Sequence, residues 1–152
     1  MGLLSPVSAE RVVHAPAERV FDLLARPSQH RLLDGSGTVR EPYDGPERLA
    51  LGDRFGMGMK AGAPYRMVNE VVEFEEGRRI AWQPRPDHRG VDKVIGGRIW
   101  RWELEPLDAG RTLVRETWDI SQERVPPLLL PLKPVVKPQL ERSLDRLERA
   151  LA

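Results

Sequence analysis

The octapeptide Arg98-Ile99-Trp100-Arg101-Trp102-Glu103-Leu104-Glu105 puts Trp100, Trp102 and Leu104 on one parity and Ile99, Arg101, Glu103 and Glu105 on the other. Period two marks a strand with one buried face, because successive side chains point to opposite sides of the pleat. The alternation recurs on both sides of this stretch. In Asp53 to Lys60, Phe55, Met57 and Met59 oppose Arg54, Gly56, Gly58 and Lys60. In Arg79 to Gln83, Ile80 and Trp82 oppose Arg79, Ala81 and Gln83, and in Thr112 to Ile120 the inward parity holds Val114, Glu116, Trp118 and Ile120. Between Tyr65 and Phe74 the favoured parity changes: Tyr65, Met67 and Val71 suit the odd face, Val68, Val72 and Phe74 the even one, which predicts a bulge near Val71. Turn signals at Glu76-Gly77, Pro84 to Gly90, Gly96-Gly97 and Asp108-Ala109-Gly110 separate the runs. The pattern is an antiparallel meander of roughly six strands.

The flanks change period. Val7 to Val13 reads as a strand, after which Ala15-Pro16 opens a helix whose apolar face is Ala17, Val20, Phe21 and Leu24, with Asp22 and Arg26 spaced to pair. Pro27 ends that helix, Ser28 to Leu33 adds one helical turn, and Asp34-Gly35-Ser36-Gly37 turns into the next strand. At the far end, Leu140, Leu144, Leu147 and Leu151 form the stripe of an amphipathic helix. Pro126-Pro127, Pro131, Pro134 and Pro138 precede or interrupt it, predicting an extended or kinked lead-in over Val125 to Lys137 that covers the mouth of the sheet.

Composition narrows the function classes. The 152 residues suit one domain, residues 1–152, large enough to bury a core. There is no cysteine, so disulfide, thiolate and cysteine-metal chemistry are absent. His14, His30 and His88 lack metal-ligand spacing, and no cofactor is expected. With 24 basic and 23 acidic residues the net charge is +1, which offers no footprint for nucleic acid. Met1 to Pro6 does not read as a signal peptide and no apolar run is long enough for a membrane span, so a cytoplasmic protein, monomer or homodimer, is expected.

The order strand, two short helices, meander and long terminal helix resembles the helix-grip fold of the START-like superfamily (SRPBCC), which includes the polyketide cyclase/dehydrase group. The likeness extends to Val12 to Leu24, to Ser28-Gln29-His30 followed by Asp34-Gly35-Ser36-Gly37-Thr38, and to Glu70 to Phe74 with Arg79-Ile80-Ala81-Trp82; Leu33 stands where many relatives carry tryptophan. The resemblance implies an α+β fold in which a curved antiparallel sheet of about seven strands wraps around the C-terminal helix. It also implies a cavity between sheet and helix for lipids, aromatic metabolites or polyketide-like molecules.

On that expectation the inward side chains become candidates. Phe55, Met57, Met59, Met67, Trp82, Trp100, Trp102 and Trp118 would form an apolar wall that adapts to shape, the plainer alternative being ordinary core. Asn69 and Tyr65 share the inward parity and could orient a ligand, or cap a bulge and sit at the wet end of the core. Glu116 is a carboxylate on an inward face, so it either meets Arg101, Arg115 or a backbone group, or its pKa rises and it works as a proton donor. His30 and Asp34 could shuttle protons at the entrance, with Ser36 beside them; a turn-forming Asp34 and an exposed His30 is the simpler picture. Gly56-Met57-Gly58 with Gly62 lacks dinucleotide-loop spacing, and Arg78, Arg79, Arg85 and Arg89 are diluted by Glu75, Glu76 and Asp87. Three functions are compatible with this pattern. They are a binding module for a small hydrophobic molecule, a polyketide cyclase/aromatase-type enzyme using Glu116 or His30 and Asp34 as acid–base groups, and a protein-interaction module such as a chaperone co-regulator.

Overall fold

Strand β1, Val7–Val13, forms where expected, and Pro16 then caps α1, Ala17–Leu24, with extended backbone; its carbonyl accepts from the N–H groups of Arg19 and Val20 at 3.1 and 3.2 Å. The four residues of the predicted apolar face are the four that α1 buries, and Arg26 Nε donates to Asp22 at 3.0 Å. The structure, a computed structural model, describes residues 5–86, 97–123 and 126–152. Asp87, His88, Arg89, Gly90, Gly96 and Val125 lie outside the described residues.

A 3₁₀ turn at Pro27–Gln29 leads into the single turn α2, His30–Leu33. Six strands follow: β2 Val39–Tyr43, β3 Arg54–Ala61, β4 Ala63–Glu75, β5 Arg79–Pro86, β6 Ile99–Asp108 and β7 Arg111–Asp119. The seven strands form one antiparallel sheet ordered β1-β7-β6-β5-β4-β3-β2. The bulge occurs in β4, where the pairing with β5 slips between Val71 and Glu73. Met67, Asn69 and Val71 are buried ahead of it, and Phe74 packs on the core beyond it.

Two boundaries differ from the sequence reading. β5 runs on through Pro86, so Pro84 to Pro86 are strand rather than turn. They pair with Asn69, Val68 and Met67 of β4, and that partner holds them extended. The lead-in is not extended either: Pro126–Leu132 is 3₁₀ helix and α3 spans Lys133–Leu151. Pro134 sits in the first turn, where its missing N–H has no intrahelical partner to lose, and Pro138 gives up one bond while burial of Val136 and Leu140 around it holds the helix. Among the described residues no helix is long and apolar enough to cross a membrane.

The leucine stripe of α3 is buried as its spacing predicts. Arg11 on β1 pairs with Asp145, with Glu148 at 2.9 Å and with Glu141 at 3.1 Å, which pins the helix over the β1 edge. On the other side, the Gly35 N–H donates to Ser143 Oγ at 3.0 Å and Arg142 Nε donates to the Gly35 carbonyl at 2.8 Å. A Cβ on Gly35 would lie 2.1 Å from the Gln139 carbonyl oxygen and 2.7 Å from the Ser143 nitrogen, both backbone atoms of α3. Gly35→Ala should therefore push α3 off its seat and cost about 1–3 kcal/mol of stability in urea denaturation. An unchanged denaturation midpoint would show that this contact does not set the helix position.

Candidate functional site

The concave face, α2 and the C-terminal segment enclose a cavity of about 530 Å³, within the range of roughly 300–1,000 Å³ usual for small-molecule sites. All thirteen residues singled out from the sequence line it. Trp82, Trp100 and Trp118 lie in register on β5, β6 and β7, and Ile80, Trp102 and Glu116 occupy the neighbouring rung. The β3–β4 wing pairs Phe55 with Asn69, Met57 with Met67 and Met59 with Tyr65. Along it depth gives way to rim, Phe55 being 1% exposed and Tyr65 41%. Leu129, Val136 and Leu140 close the opposite wall, while Leu132 and Val135 line the cavity yet remain exposed at its mouth.

His30 is buried rather than exposed, because the single turn of α2 turns both His30 and Leu33 inward. Its ring stacks on Trp82 at 4.6 Å and meets Phe55 edge-on at 5.5 Å. Nε2–H donates to the Leu24 carbonyl at 2.8 Å, which leaves Nδ1 as the acceptor of a neutral ring. Burial pushes its pKa down to about 4, against opposing effects from that hydrogen bond and from Asp34. Asp34 is the turn former. Oδ1 accepts from the N–H and hydroxyl of Ser36 at 2.9 and 2.6 Å, and Oδ2 from the Val39 N–H at 3.0 Å. The expected His30–Asp34 pair is thus coupled through space, each side chain taking its hydrogen bonds elsewhere.

Glu116 has neither of its anticipated arginines. Arg101 binds Glu73 at 2.7 and 2.9 Å and Arg115 binds Glu10 at 2.7 Å, both on the outer face of the sheet. The Ser143 hydroxyl of α3 faces Glu116 instead, and Glu116 Oε2 is buried with no hydrogen-bond partner among the described residues. Burial first, and the charge of Asp34 second, push this carboxyl well above its ordinary value of 4.5, offset in part by Ser143. A neutral carboxyl in this position can donate a proton. The Asn69 amide makes one long contact, donating to the Phe55 carbonyl at 3.4 Å.

Sequence reasoning missed Arg98, Gln139 and Ser143 as wall residues. Arg98 carried a signal: it has the even parity of Trp100 and Trp102. Ser143 had none, being a small polar residue beside a leucine stripe.

Two buried groups with opposite shifts give opposite pH dependences. Folded Glu116 keeps its proton while the unfolded chain releases it above 4.5, so stability falls as pH rises from 4.5 towards the folded pKa, with a slope of at most about 1.4 kcal/mol per pH unit. Folded His30 stays neutral down to about 4 whereas the unfolded chain takes up a proton below 6.5, so stability falls as pH drops through that window. In urea denaturation followed against pH, Glu116→Gln should remove the alkaline decline and His30→Gln the acid one. A Glu116→Gln profile parallel to that of the wild type would mean the carboxyl ionises like a surface glutamate.

Comparison with known proteins agrees with this architecture. The family described as polyketide cyclase / dehydrase and lipid transport matches residues 6–152. An uncharacterized protein of Mycobacterium tuberculosis is 39% identical over 114 residues, which cover 74% of this chain and 46% of the relative. The chain thus spans about half the length of the curated relatives it matches. Among solved structures, a Mesorhizobium loti protein has a TM-score of 0.70 at 19% identity, covering 97% of this chain and 96% of that one. The Zhui aromatase/cyclase of a Streptomyces species has a TM-score of 0.65 at 17% identity, covering 97% and 96%. At such identities the structural likeness shows the fold alone. The match over nearly the whole length goes further: this chain belongs to the polyketide cyclase/dehydrase and lipid transport family of helix-grip proteins.

Proposed function

We propose that the chain binds one small, largely apolar molecule between the sheet and α3. The observation that carries this reading is a cavity of about 530 Å³ that persists although four tryptophans and three methionines point into it. Protein interiors close such space when they can, because unfilled volume forfeits dispersion contacts. Each 100 Å² of apolar ligand surface buried there would contribute roughly 2.5 kcal/mol. Glu116, Asn69 and Tyr65 are the polar groups that would orient the guest. A neutral probe, N-phenylnaphthylamine, should bind saturably at one site and quench tryptophan emission, and Met57→Trp should weaken uptake by narrowing the cavity. Glu116→Ala should keep apolar binding and change the ranking of carbonyl-bearing ligands. No saturable uptake by the wild type, or equal uptake by Met57→Trp, would overturn the reading.

The partnerless Oε2 of Glu116 favours a second reading, acid–base catalysis of the cyclase/aromatase type, in which the neutral carboxyl donates to a carbonyl oxygen of a chain folded in the cavity. Turnover of a poly-carbonyl substrate would then show a pH profile that shifts in Glu116→Gln. Unchanged kinetics in that variant would remove Glu116 as the acid.

A further inference from the structure

Arg98 immediately precedes β6, shares the parity of Trp100 and Trp102, and lines the cavity. The residue is half-buried and borders the open space of the cavity. Burial is the largest influence on its pKa and lowers it, with the charge of Glu123 acting the other way. An arginine stays protonated under such pressure, so the charge cannot be shed.

Of the other partly buried arginines among the described residues, Arg40 donates to the Gly37 and Val39 carbonyls, and the rest have carboxylates in contact. Arg101 has Glu73 and Asp119, Arg48 has Asp22 and Glu76, and Arg11 has three acids of α3. At Arg98 the main-chain N–H donates to Glu123 Oε2 at 2.8 Å, but among the described residues the guanidinium has no hydrogen bond or ion pair. A partly desolvated cation without an ion-pair partner is costly, and a fork of N–H donors on a cavity wall matches a carboxylate.

We propose that Arg98 is the anchor for the head group of a lipophilic carboxylic acid, whose apolar body lies along Trp100 and Trp102 and whose far end reaches Glu116. The inference rests on the binding reading above and adds the chemical class of the guest. Trp102 pairs with Glu116 in the sheet. The four-residue step from Arg98 to Trp102 therefore sets the two polar ends about 13 Å apart at the usual rise per strand residue. The deep end offers a protonated carboxyl, which suits a keto or hydroxyl oxygen on the ligand. Tyr65, which is exposed, lines the same cavity, so a head group at the outer end keeps some water and is cheaper to bury. A single cation in an apolar wall balances one negative charge, which favours a monocarboxylate over a dianionic phosphate.

Three probes of equal chain length test this by tryptophan fluorescence titration at slightly alkaline pH: dodecanoate, dodecanol and dodecylamine. The wild type should prefer dodecanoate to dodecanol by about tenfold or more, the size of a charge-assisted hydrogen bond, and bind dodecylamine weakest. Arg98→Met, which keeps the length of the side chain, should lose the preference while leaving the alcohol's affinity unchanged, and Arg98→Lys should keep part of it. Equal wild-type affinity for acid and alcohol overturns the assignment without needing a variant to fold, and so does a preference undiminished in Arg98→Met. If none of the three binds the wild type, the binding reading itself falls and takes this inference with it.

Discussion

Seven strands at about 4.8 Å spacing make a sheet roughly 29 Å wide, whereas a helix with its side chains is about 10 Å thick, so one helix cannot fill the concave face. Everything in this structure follows from where the helices are placed on that surface. α3 takes the β1 and β7 side, held by its leucine stripe, the Arg11 contacts with three acids and the Gly35 seat. α1 closes one end against β6, with Phe21 edge-on to Phe74 at 5.4 Å. Between them, under β3 to β7, lies the cavity, which α3 borders with Val136, Gln139 and Leu140 and α1 with Leu24. The side chains that line it leave about 530 Å³ open.

The buried titratable groups on this wall settle their desolvation in different ways. His30 gives up its charge and becomes a flat ring stacked on Trp82. Half-buried Asp34 has donors from Ser36 and Val39 on both of its oxygens. Glu116 keeps a proton instead, with the Ser143 hydroxyl beside it. Ser143 also receives the Gly35 N–H, so one hydroxyl ties the seat of α3 to the protonation of the site. A shift of α3 would therefore be felt at Glu116.

The strands were legible because one-sided burial imposes period two, and even the β4 bulge showed itself as a parity change around Val71. The inward parity also placed Phe55, Met57, Trp82, Trp100, Trp102, Glu116 and Trp118 on the cavity wall. What could not be read was set by tertiary partners. Nothing local tells that Pro84 to Pro86 will be held extended by β4, or that Pro134 and Pro138 will be tolerated in α3. The hydrogen bonds of His30 and Asp34 depend on the turn of one short helix, and the Glu116–Ser143 contact joins strand to helix across 27 positions of sequence. Arg98 was overlooked because a charged residue at a strand start normally marks solvent, and only its alignment with two tryptophans argued otherwise.

Polarity along the cavity is graded rather than scattered. Towards the rim stand Tyr65, the exposed Leu132 and Val135, and the half-buried guanidinium of Arg98. At depth stand the indole rung and a carboxyl that is neutral because water is excluded. A charge is cheapest where some hydration survives, and a neutral hydrogen bond is strongest where it does not. On the proposed reading, an amphipathic guest would be oriented by the wall itself: reversing it would drive its charged end towards a buried carboxyl and leave the guanidinium without its counter-charge. Selectivity in such a site comes less from the shape of the methionine and tryptophan surface, which adapts, than from the fixed separation of two unlike polar ends.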